Sequence, residues 1–151
     1  LQPPQARIFS RVAPDARPKM EADSPALPAC LESWPGGRRY PLRPGIVTLG
    51  RSRRADIQID TPIIQEKRLV SSLHAYIHCD SDRYRVFDGS PGGKPSTNGT
   101  YVNSRPVPAG GVDLADGDLL VLAAVDPSQP RPDTPGVAAL YFKQNCEARK
   151  P

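Results

Sequence analysis

The sequence has no long uncharged run of apolar residues, so it predicts no membrane-spanning helix. Aromatic residues make up only 6% of the chain. The segment from Leu1 to Ser10 contains neither an apolar signal core nor an initiator methionine, and we interpret the chain as a piece of a longer protein. Proline and glycine are abundant, with 19 and 12 residues. This composition is typical of many short strands joined by turns rather than of a helical protein.

The three cysteines, Cys30, Cys79 and Cys146, are widely separated and odd in number. No C-x-x-C pair is present, and His74 and His78 do not stand at zinc-finger spacing from any cysteine. The sequence also has no P-loop and no set of nucleophile, base and orienting residue. We therefore predict three reduced thiols, no metal or other cofactor and no enzyme activity in this fragment. A disulfide between two of the cysteines is the alternative, and the longer protein has room for an enzyme domain elsewhere.

The chain divides by composition into a domain with two tails. Prolines interrupt residues 1–27 and apolar residues are sparse there, so we predict a largely disordered Pro-rich tail. Within that tail, Arg7 to Val12 is a candidate for one extra docked strand. The predicted domain spans residues 28–145, and 146–151 form a C-terminal tail. Inside the domain, residues 126–136 contain four prolines and are interpreted as an exposed, mobile loop insertion.

Short apolar or alternating segments bounded by turn residues run from Ala29 to Phe142, which is typical of strands. No segment predicts a helix, and Asp60 to Arg68 is interpreted as a long loop whose Ile63 and Ile64 pack onto the body. We predict an all-β sandwich of about ten to eleven short strands. The predicted strands are 29–33, 39–42, 46–49, 57–59, 73–79, 83–87, 100–102, a short one near Val107, 118–122 and 137–142.

Four short motifs follow each other at the ends of these strands. They are Gly50-Arg51, Ser71-Ser72-Leu73-His74, Thr97-Asn98-Gly99-Thr100 and Asp116-Gly117-Asp118. Together they offer a guanidinium, hydroxyls, an amide and loop backbone, which are the groups that bind phosphate. The last motif lacks the spacing of an EF-hand loop and predicts a turn. In order and spacing, the four motifs resemble the forkhead-associated (FHA) domain over residues 28–145.

This resemblance implies an FHA/SMAD-like β-sandwich whose binding loops lie at one end and recognise phosphothreonine peptides. The implied phosphopeptide contacts are Arg51, Ser71, Ser72, Thr97 and Asn98. The implied structural supports of these loops are Gly50, His74, Gly99 and Thr100. Ser72 departs from the family, which often has arginine at this position. The resemblance also implies that His74 braces the loops through hydrogen bonds rather than acting as a base for Ser71. Lys94 and Arg68 are candidate accessory contacts.

The net charge of +4 suits acidic or phosphorylated partners. The leading hypothesis is a non-catalytic module that binds phosphothreonine-containing proteins in intracellular signalling, in the cytoplasm or nucleus, because intracellular kinases make such ligands. One alternative is a module of the same fold that binds proteins without phosphate. The other is a weak basic nucleic-acid binder, but the scattered aromatic residues form no stacking platform, so neither nucleic acid nor membrane is an expected partner. The oligomeric state stays open.

Overall fold

The computed structural model describes residues 29–146. The predicted tail at 1–27, with its candidate strand from Arg7 to Val12, lies outside the described residues, as does the predicted C-terminal tail after Cys146. One short helix, α1 (Pro62–Lys67), lies between the fourth and fifth of eleven strands. The strands are β1 (Cys30–Trp34), β2 (Arg39–Pro41), β3 (Gly45–Gly50), β4 (Ile57–Gln58), β5 (Ala75–Asp80), β6 (Arg83–Asp88), β7 (Thr100–Val102), β8 (Arg105–Pro106), β9 (Val112–Asp113), β10 (Leu119–Leu122) and β11 (Ala138–Lys143).

The strands form two sheets that pack face to face around one core. The first sheet has the order β2-β1-β11-β10-β7-β8 and the second has the order β4-β3-β5-β6-β9. Paired strands run antiparallel, except for the parallel pair of β3 and β4. The all-β sandwich predicted from the sequence is therefore confirmed.

Alternating residues of β5 contribute to the core, as the period of two in a strand predicts. In β5, Ala75, Ile77 and Cys79 are buried, while Tyr76 is half-buried and His78 is exposed between them. The opposite sheet contributes fully buried leucines of β10 and β11 together with Phe142. Burying each large apolar side chain stabilises the fold by about 1.5–3 kcal/mol. This core holds the strand ends from which the functional loops extend.

The prediction that Asp60 to Arg68 contains no helix is wrong. Thr61 caps α1 with its side-chain oxygen, which accepts the N–H of Ile64 at 3.4 Å, and Pro62 occupies the first turn. Arg68 ends the helix in the left-handed conformation, with φ of 57°. Six residues are too few to show a helical period in the sequence. Ile64 is buried while Ile63 stays exposed, and among the described residues no helix is long and apolar enough to cross a membrane.

The fifth strand begins later than the sequence predicts. β5 starts at Ala75, so the segment from Leu73 to His74 belongs to the preceding loop. His74, the residue before β5, is fully buried, whereas His78 within the strand is exposed. The hydrogen bonds that draw His74 into the interior are described below with the site.

The connection between β10 and β11 contains the Pro-rich residues 126–136, which form turns and bends without a strand. The carboxylate of Asp126 accepts both the backbone N–H and the hydroxyl of Ser128, at 3.1 and 2.8 Å. At the end of this connection, Gly136 lies against the side chains of Lys67 and Leu69. The connection therefore passes beside the C-terminal end of α1.

The prediction of three reduced thiols is wrong for two of the cysteines. Cys30 and Cys146 form a disulfide with a Cα–Cα distance of 5.5 Å. The register explains their proximity, because Cys30 of β1 pairs with Lys143 of β11, three residues before Cys146. Spacing in the sequence does not reveal this pairing, since it depends on β1 and β11 being neighbours. Cys79 is a buried free cysteine, and burial raises the pKa of its thiol to about 11.

Removing the cross-link should destabilise the domain. The two cysteines are 116 residues apart in sequence, and closing such a loop is worth up to about 5 kcal/mol in the chain-entropy model. Cys146→Ser should therefore lower the melting temperature, measured by circular dichroism. Dithiothreitol should lower the melting temperature of the wild type to a similar value and leave that of the variant unchanged.

Cys79→Ala is the matched control, because it should keep the sensitivity to dithiothreitol. A thiol titration of the denatured, unreduced protein should count one thiol in the wild type and two in Cys146→Ser. Three titratable thiols in the unreduced wild type would show that the disulfide does not form.

Candidate functional site

Three loops, called here the site loops, meet at the ends of β3, β5 and β6. They are residues 51–56 after β3, residues 68–74 before β5 and residues 89–99 after β6. The first two lie side by side: Arg51 N–H donates to the Ser71 carbonyl at 3.0 Å, and Ser52 N–H donates to the Ser72 carbonyl at 3.1 Å. His74 N–H continues the ladder to the Leu49 carbonyl at 2.7 Å. Backbone hydrogen bonds thus fix two of the loops relative to each other.

Gly50 is required where these two loops touch. A Cβ atom at this position would lie 2.0 Å from the carbonyl oxygen of Ser72, which is far inside van der Waals contact. The absence of a side chain therefore allows the backbone on either side of Arg51 to approach Ser72. This gives a physical reason for glycine before Arg51.

His74 links the second site loop to the third. Its Nδ1 accepts the backbone N–H of Ser71 at 2.9 Å, and its Nε2 lies 2.7 Å from the carbonyl oxygen of Gly99. These partners require a neutral ring with the proton on Nε2. Burial lowers the pKa of His74 below its ordinary value, although the Gly99 carbonyl partly opposes the shift. With both ring nitrogens occupied, His74 cannot serve as a base for the Ser71 hydroxyl.

Ser71 joins the same two loops through its side chain. Its Oγ accepts the backbone N–H of Thr97 at 3.2 Å, which leaves the hydroxyl proton of Ser71 free to donate. Thr97 and Ser72 are exposed beside it, while Ser71 is half-buried. The structure therefore brings together the three hydroxyl residues that the sequence assigned to the phosphopeptide site.

Arg51 is held in place at its side chain and at its backbone. Its Nε donates to the Val70 carbonyl at 2.9 Å, so the two terminal nitrogens of the guanidinium are left to bind a ligand. Its carbonyl accepts the side-chain amides of Gln58 and Gln65, each at 3.2 Å. No motif indicated these two glutamines, which anchor Arg51 to β4 and to α1.

Asn98 bridges back to the second site loop, because its Nδ2 donates to the Leu69 carbonyl at 2.9 Å. Its Oδ1 and its remaining amide hydrogen have no partner among residues 29–146, so they can pair with the backbone of a bound peptide. Gly99, beside it, has φ of 85°, and its carbonyl accepts the Ala123 N–H as well as facing His74. The turn thus places Asn98 between the hydroxyl cluster and β10.

Asp88, which was not predicted as a site residue, organises the third site loop. Its carboxylate accepts the N–H of Ser96 at 3.1 Å and the hydroxyl of Thr100 at 2.6 Å. The hydroxyl of Ser96 also donates to Asp88 and in turn accepts the Gly99 N–H at 2.9 Å. An acidic residue at the end of the alternating strand β6, just before a long loop, was the available signal.

The remaining predicted residues take peripheral positions. Lys94 and Arg68 are exposed, and within residues 29–146 their side chains have no hydrogen bond or ion pair. The motif from Asp116 to Asp118 forms the turn before β10, where Asp118 accepts the Ala115 N–H at 2.8 Å. No group of acidic, histidine or cysteine side chains among the described residues is arranged to hold a metal ion. The free donors of the site, which are the terminal nitrogens of Arg51 and the hydroxyl of Ser71, suit an anion.

The site loops and their scaffold match a known family. The FHA domain model matches residues 47–123, half of the chain, and the chain belongs to this family. FHA domains are non-catalytic binding modules. The family and fold predicted from the sequence are therefore confirmed. A comparison with curated proteins gives no significant match.

Several solved structures resemble this chain. An FHA domain characterised for phosphothreonine-dependent interactions is 27% identical, with a TM-score of 0.56 over 77% of this chain and 95% of that one. The FhaA FHA domain, complexed with the intracellular domain of Rv3910, is 27% identical, with a TM-score of 0.55 over 76% and 99% of the two chains. The Slr1951 protein from Synechocystis sp. is 25% identical, with a TM-score of 0.52 over 77% and 95%.

Gly50→Ala should separate the first two site loops. The added methyl group overlaps the Ser72 carbonyl, and overpacking of this kind costs about 1–3 kcal/mol or more. We expect a lower melting temperature and faster exchange of the Arg51 and Ser52 amide hydrogens. Gly110→Ala is the matched control, because a Cβ there meets nothing within 4 Å. Equal effects of the two substitutions would contradict the close approach at Gly50.

The neutral state of His74 should make stability depend on pH. Because its folded pKa lies below the ordinary value of 6.5, the unfolded chain binds the extra proton first as the pH falls. The free energy of unfolding should be fully retained above pH 6.5 and should decrease as the pH falls below that value. Urea denaturation over this range measures the decrease.

His74→Gln should remove that decrease, and His78→Gln is the control, because His78 is exposed and should leave it unchanged. If His74→Gln fails to fold, the ring can be followed directly by NMR in the wild type. A His74 that titrates at or above its ordinary pKa would contradict the assigned tautomer.

Proposed function

We propose that this domain binds phosphothreonine-containing segments of partner proteins and so mediates phosphorylation-dependent protein–protein interaction. The supporting observation is the convergence of Arg51, Ser71 and Asn98 on one surface, with donor atoms that have no partner within the described residues. The family of the chain consists of non-catalytic binding modules, and two similar FHA structures are described by phosphothreonine dependence or by a protein complex. The phosphopeptide contacts are Arg51, Ser71, Ser72, Thr97 and Asn98.

Arg51 supplies the main charge for the phosphate. A phosphothreonine carries a charge of about −1.5 to −2 near neutral pH, with three acceptor oxygens. The terminal nitrogens of Arg51 form a fork that fits two of these oxygens. Because Val70 already holds Nε, the guanidinium loses little conformational freedom when the ligand binds.

The hydroxyl residues complete the phosphate contacts. Ser71 donates its free hydroxyl proton, while Thr97 and Ser72 lie exposed on the neighbouring loop positions. Asn98 offers one acceptor and one donor, which is the pair needed to hold a peptide backbone beside the phosphorylated residue. Removing the phosphate would leave these donors without their acceptor, so a kinase and a phosphatase would switch binding on and off.

The ligand also indicates the compartment. Phosphothreonine is made by intracellular kinases, so we place this interaction in the cytoplasm or nucleus. Such compartments are reducing, so the Cys30–Cys146 disulfide would be subject to reduction there. The site loops are held by backbone and side-chain hydrogen bonds rather than by that cross-link, so reduction leaves their arrangement intact.

Binding should depend on phosphothreonine and on Arg51. We expect the domain to bind members of a phosphothreonine peptide library and not to bind the matched unphosphorylated peptides. Fluorescence anisotropy measures this binding. Arg51→Ala removes charge-assisted hydrogen bonds worth about 2 kcal/mol or more, so affinity should fall at least about thirty-fold. Arg51→Lys should recover only part of it, because lysine lacks the fork.

Arg105→Ala is the control, since Arg105 is an exposed arginine on β8, outside the site loops. Phosphoserine peptides test whether the threonine methyl group is also recognised. Binding that is equal for phosphorylated and unphosphorylated peptides would replace this proposal with a phosphate-independent interaction module.

A further inference from the structure

A largely apolar groove lies on the described surface outside the site loops. It has a volume of about 430 Å³, and three parts of the fold line it. Strands β1 and β2 contribute Trp34 and Tyr40, α1 contributes Ile63 and Ile64, and residues 137–140 bring the start of β11. Trp34 and Ile63 are 41% and 40% exposed, so the groove presents large apolar side chains to water.

The groove gathers the exposed apolar surface of the domain. Four large apolar side chains are exposed among the described residues, and two of them, Trp34 and Ile63, line this groove. Contiguous apolar surface is a mark of a site that another segment or molecule covers. The sequence analysis expected Ile63 to pack onto the body, and an occupant of the groove would give it the packing partner that it lacks.

Hydrogen bonds within the fold hold the residues that line the groove. Ser33 N–H donates to the Arg38 carbonyl at 2.8 Å, and Arg38 N–H donates to Ser33 Oγ at 3.0 Å. The Arg38 guanidinium lies 5.2 Å from the centre of the Tyr40 ring. In α1, Thr61 caps the helix and Ile64 is buried in the core. An occupant would therefore meet a preformed surface and lose little binding energy to reordering it.

Negative charge stands beside the apolar lining. Asp60 lines the groove, is exposed and forms no ion pair within residues 29–146. Glu66 follows Ile63 by three positions on α1, so the two side chains are neighbours on the helix surface. Glu66 is likewise exposed and unpaired within the described range. The groove thus suits a segment that carries apolar side chains next to basic ones.

The chain itself contains a segment of this character before the described residues. Large apolar residues are sparse in residues 1–28, yet Ile8, Phe9 and Val12 stand together there. Their neighbours in sequence are Arg7 and Arg11. Apolar side chains match the lining of the groove, and the two guanidinium groups match its free carboxylates.

The position of Ala29 lets this segment reach the groove. Ala29 is fully buried, and its carbonyl accepts the Leu42 N–H at 2.9 Å, so the chain enters the fold beside β1 and β2. From Ala29 to Trp34 the chain extends about 17 Å. Residues 13–28 would span about 20–25 Å as a flexible linker, and their prolines extend it further. The linker is therefore long enough to bring the segment to the groove of its own chain.

We propose that residues 7–12 bind this groove within their own chain, with their apolar side chains against Trp34 and Ile63 and their arginines near Asp60. A short tether gives the segment an effective concentration of about 1 mM at the groove. Contacts with a Kd at or below about 1 mM are therefore sufficient to keep the groove covered. This inference concerns a surface outside the site loops and does not depend on the function proposed above.

Trp34 reports occupancy of the groove directly, because it is the only tryptophan in the chain. The double variant Phe9→Asp/Val12→Asp of the full chain should shift Trp34 emission to longer wavelength and increase its quenching by acrylamide, because carboxylates do not enter an apolar surface. Met20→Asp is the matched control, since it places the same charge at an apolar residue outside residues 7–12. Circular dichroism should show the same strand content in all three chains.

Adding the segment back in trans should reverse the change. A peptide of residues 5–14 contains no tryptophan, so only the protein contributes to the signal. Added to the Phe9→Asp/Val12→Asp chain, it should return Trp34 emission towards the wild-type wavelength, with a Kd at or below about 1 mM. The same peptide carrying both aspartates should have no effect.

Substitution in the groove tests the other side of the contact. In an Ile63→Gln background, Phe9→Asp/Val12→Asp should change Trp34 quenching less than it does in the wild type, because the two sites would share one interaction. Ile46→Gln is the matched control: Ile46 is 46% exposed and lies outside the groove, so the full effect should persist there.

Three results would overturn the proposal. Equal Trp34 emission and quenching in the wild type and in Phe9→Asp/Val12→Asp would show that the segment does not cover the groove. An equally large change in Met20→Asp would show that the effect is not specific to residues 7–12. Protection of Trp34 that appears only at high protein concentration, together with a dimer in light scattering, would assign the groove to a second copy instead.

Discussion

The arrangement of the whole site depends on one buried imidazole. His74 has no route to solvent, so both of its ring nitrogens need partners inside the protein. It finds them in two different loops, at Ser71 and Gly99. Holding the Ser71 backbone in place also positions the Ser71 hydroxyl oxygen, which accepts the N–H of Thr97. Holding Gly99 in place positions Asn98, whose amide donates to the Leu69 carbonyl. A fully buried residue thereby sets the geometry of the side chains proposed to bind the ligand.

The rigid β-sandwich allows one buried histidine to position two loops. Its short strands end abruptly, and each loop begins from backbone that a dense core already holds. The conformational entropy of the loops is therefore lost on folding and not on binding. Arg51 illustrates the result, since Val70 holds its side chain and Gln58 and Gln65 hold its carbonyl. The guanidinium of Arg51 is thus oriented by the protein itself.

The sequence predicts the structural features that depend on neighbouring residues better than those that depend on residues distant in the chain. The strands and the turn at Asn98-Gly99 follow from neighbouring residues, and the motif order was sufficient to predict the family and the fold. The site residues inferred from the same motifs lie on adjoining loops, and their contacts with a ligand stay a prediction. Helix α1 was not predicted because its six residues are too few to show a helical period of hydrophobic residues. The start of β5 was misplaced because His74 bonds to Gly99, which lies 25 residues further along the chain. The Cys30–Cys146 pair was not predicted because the two cysteines become neighbours only through the pairing of β1 with β11. The partners of Asp88, Ser96 and Thr100, are closer in sequence, but only the folded loop brings them to its carboxylate.

The interior and the rim of the site obey different electrostatics. The inner network of His74, Ser71 and Thr97 is neutral and joined by hydrogen bonds, so it keeps its shape without a ligand and responds little to salt. The rim consists of exposed charged residues such as Arg53, Arg54 and Lys94. Their electrostatic attraction for an anion is screened by salt beyond about 10 Å at ordinary ionic strength. Arg51 stands between the two, half-buried and oriented from within while its charge acts outward. The proposed phosphate contacts thus depend on a hydrogen-bonded interior, whereas the exposed cations around them can be substituted without disturbing the fold.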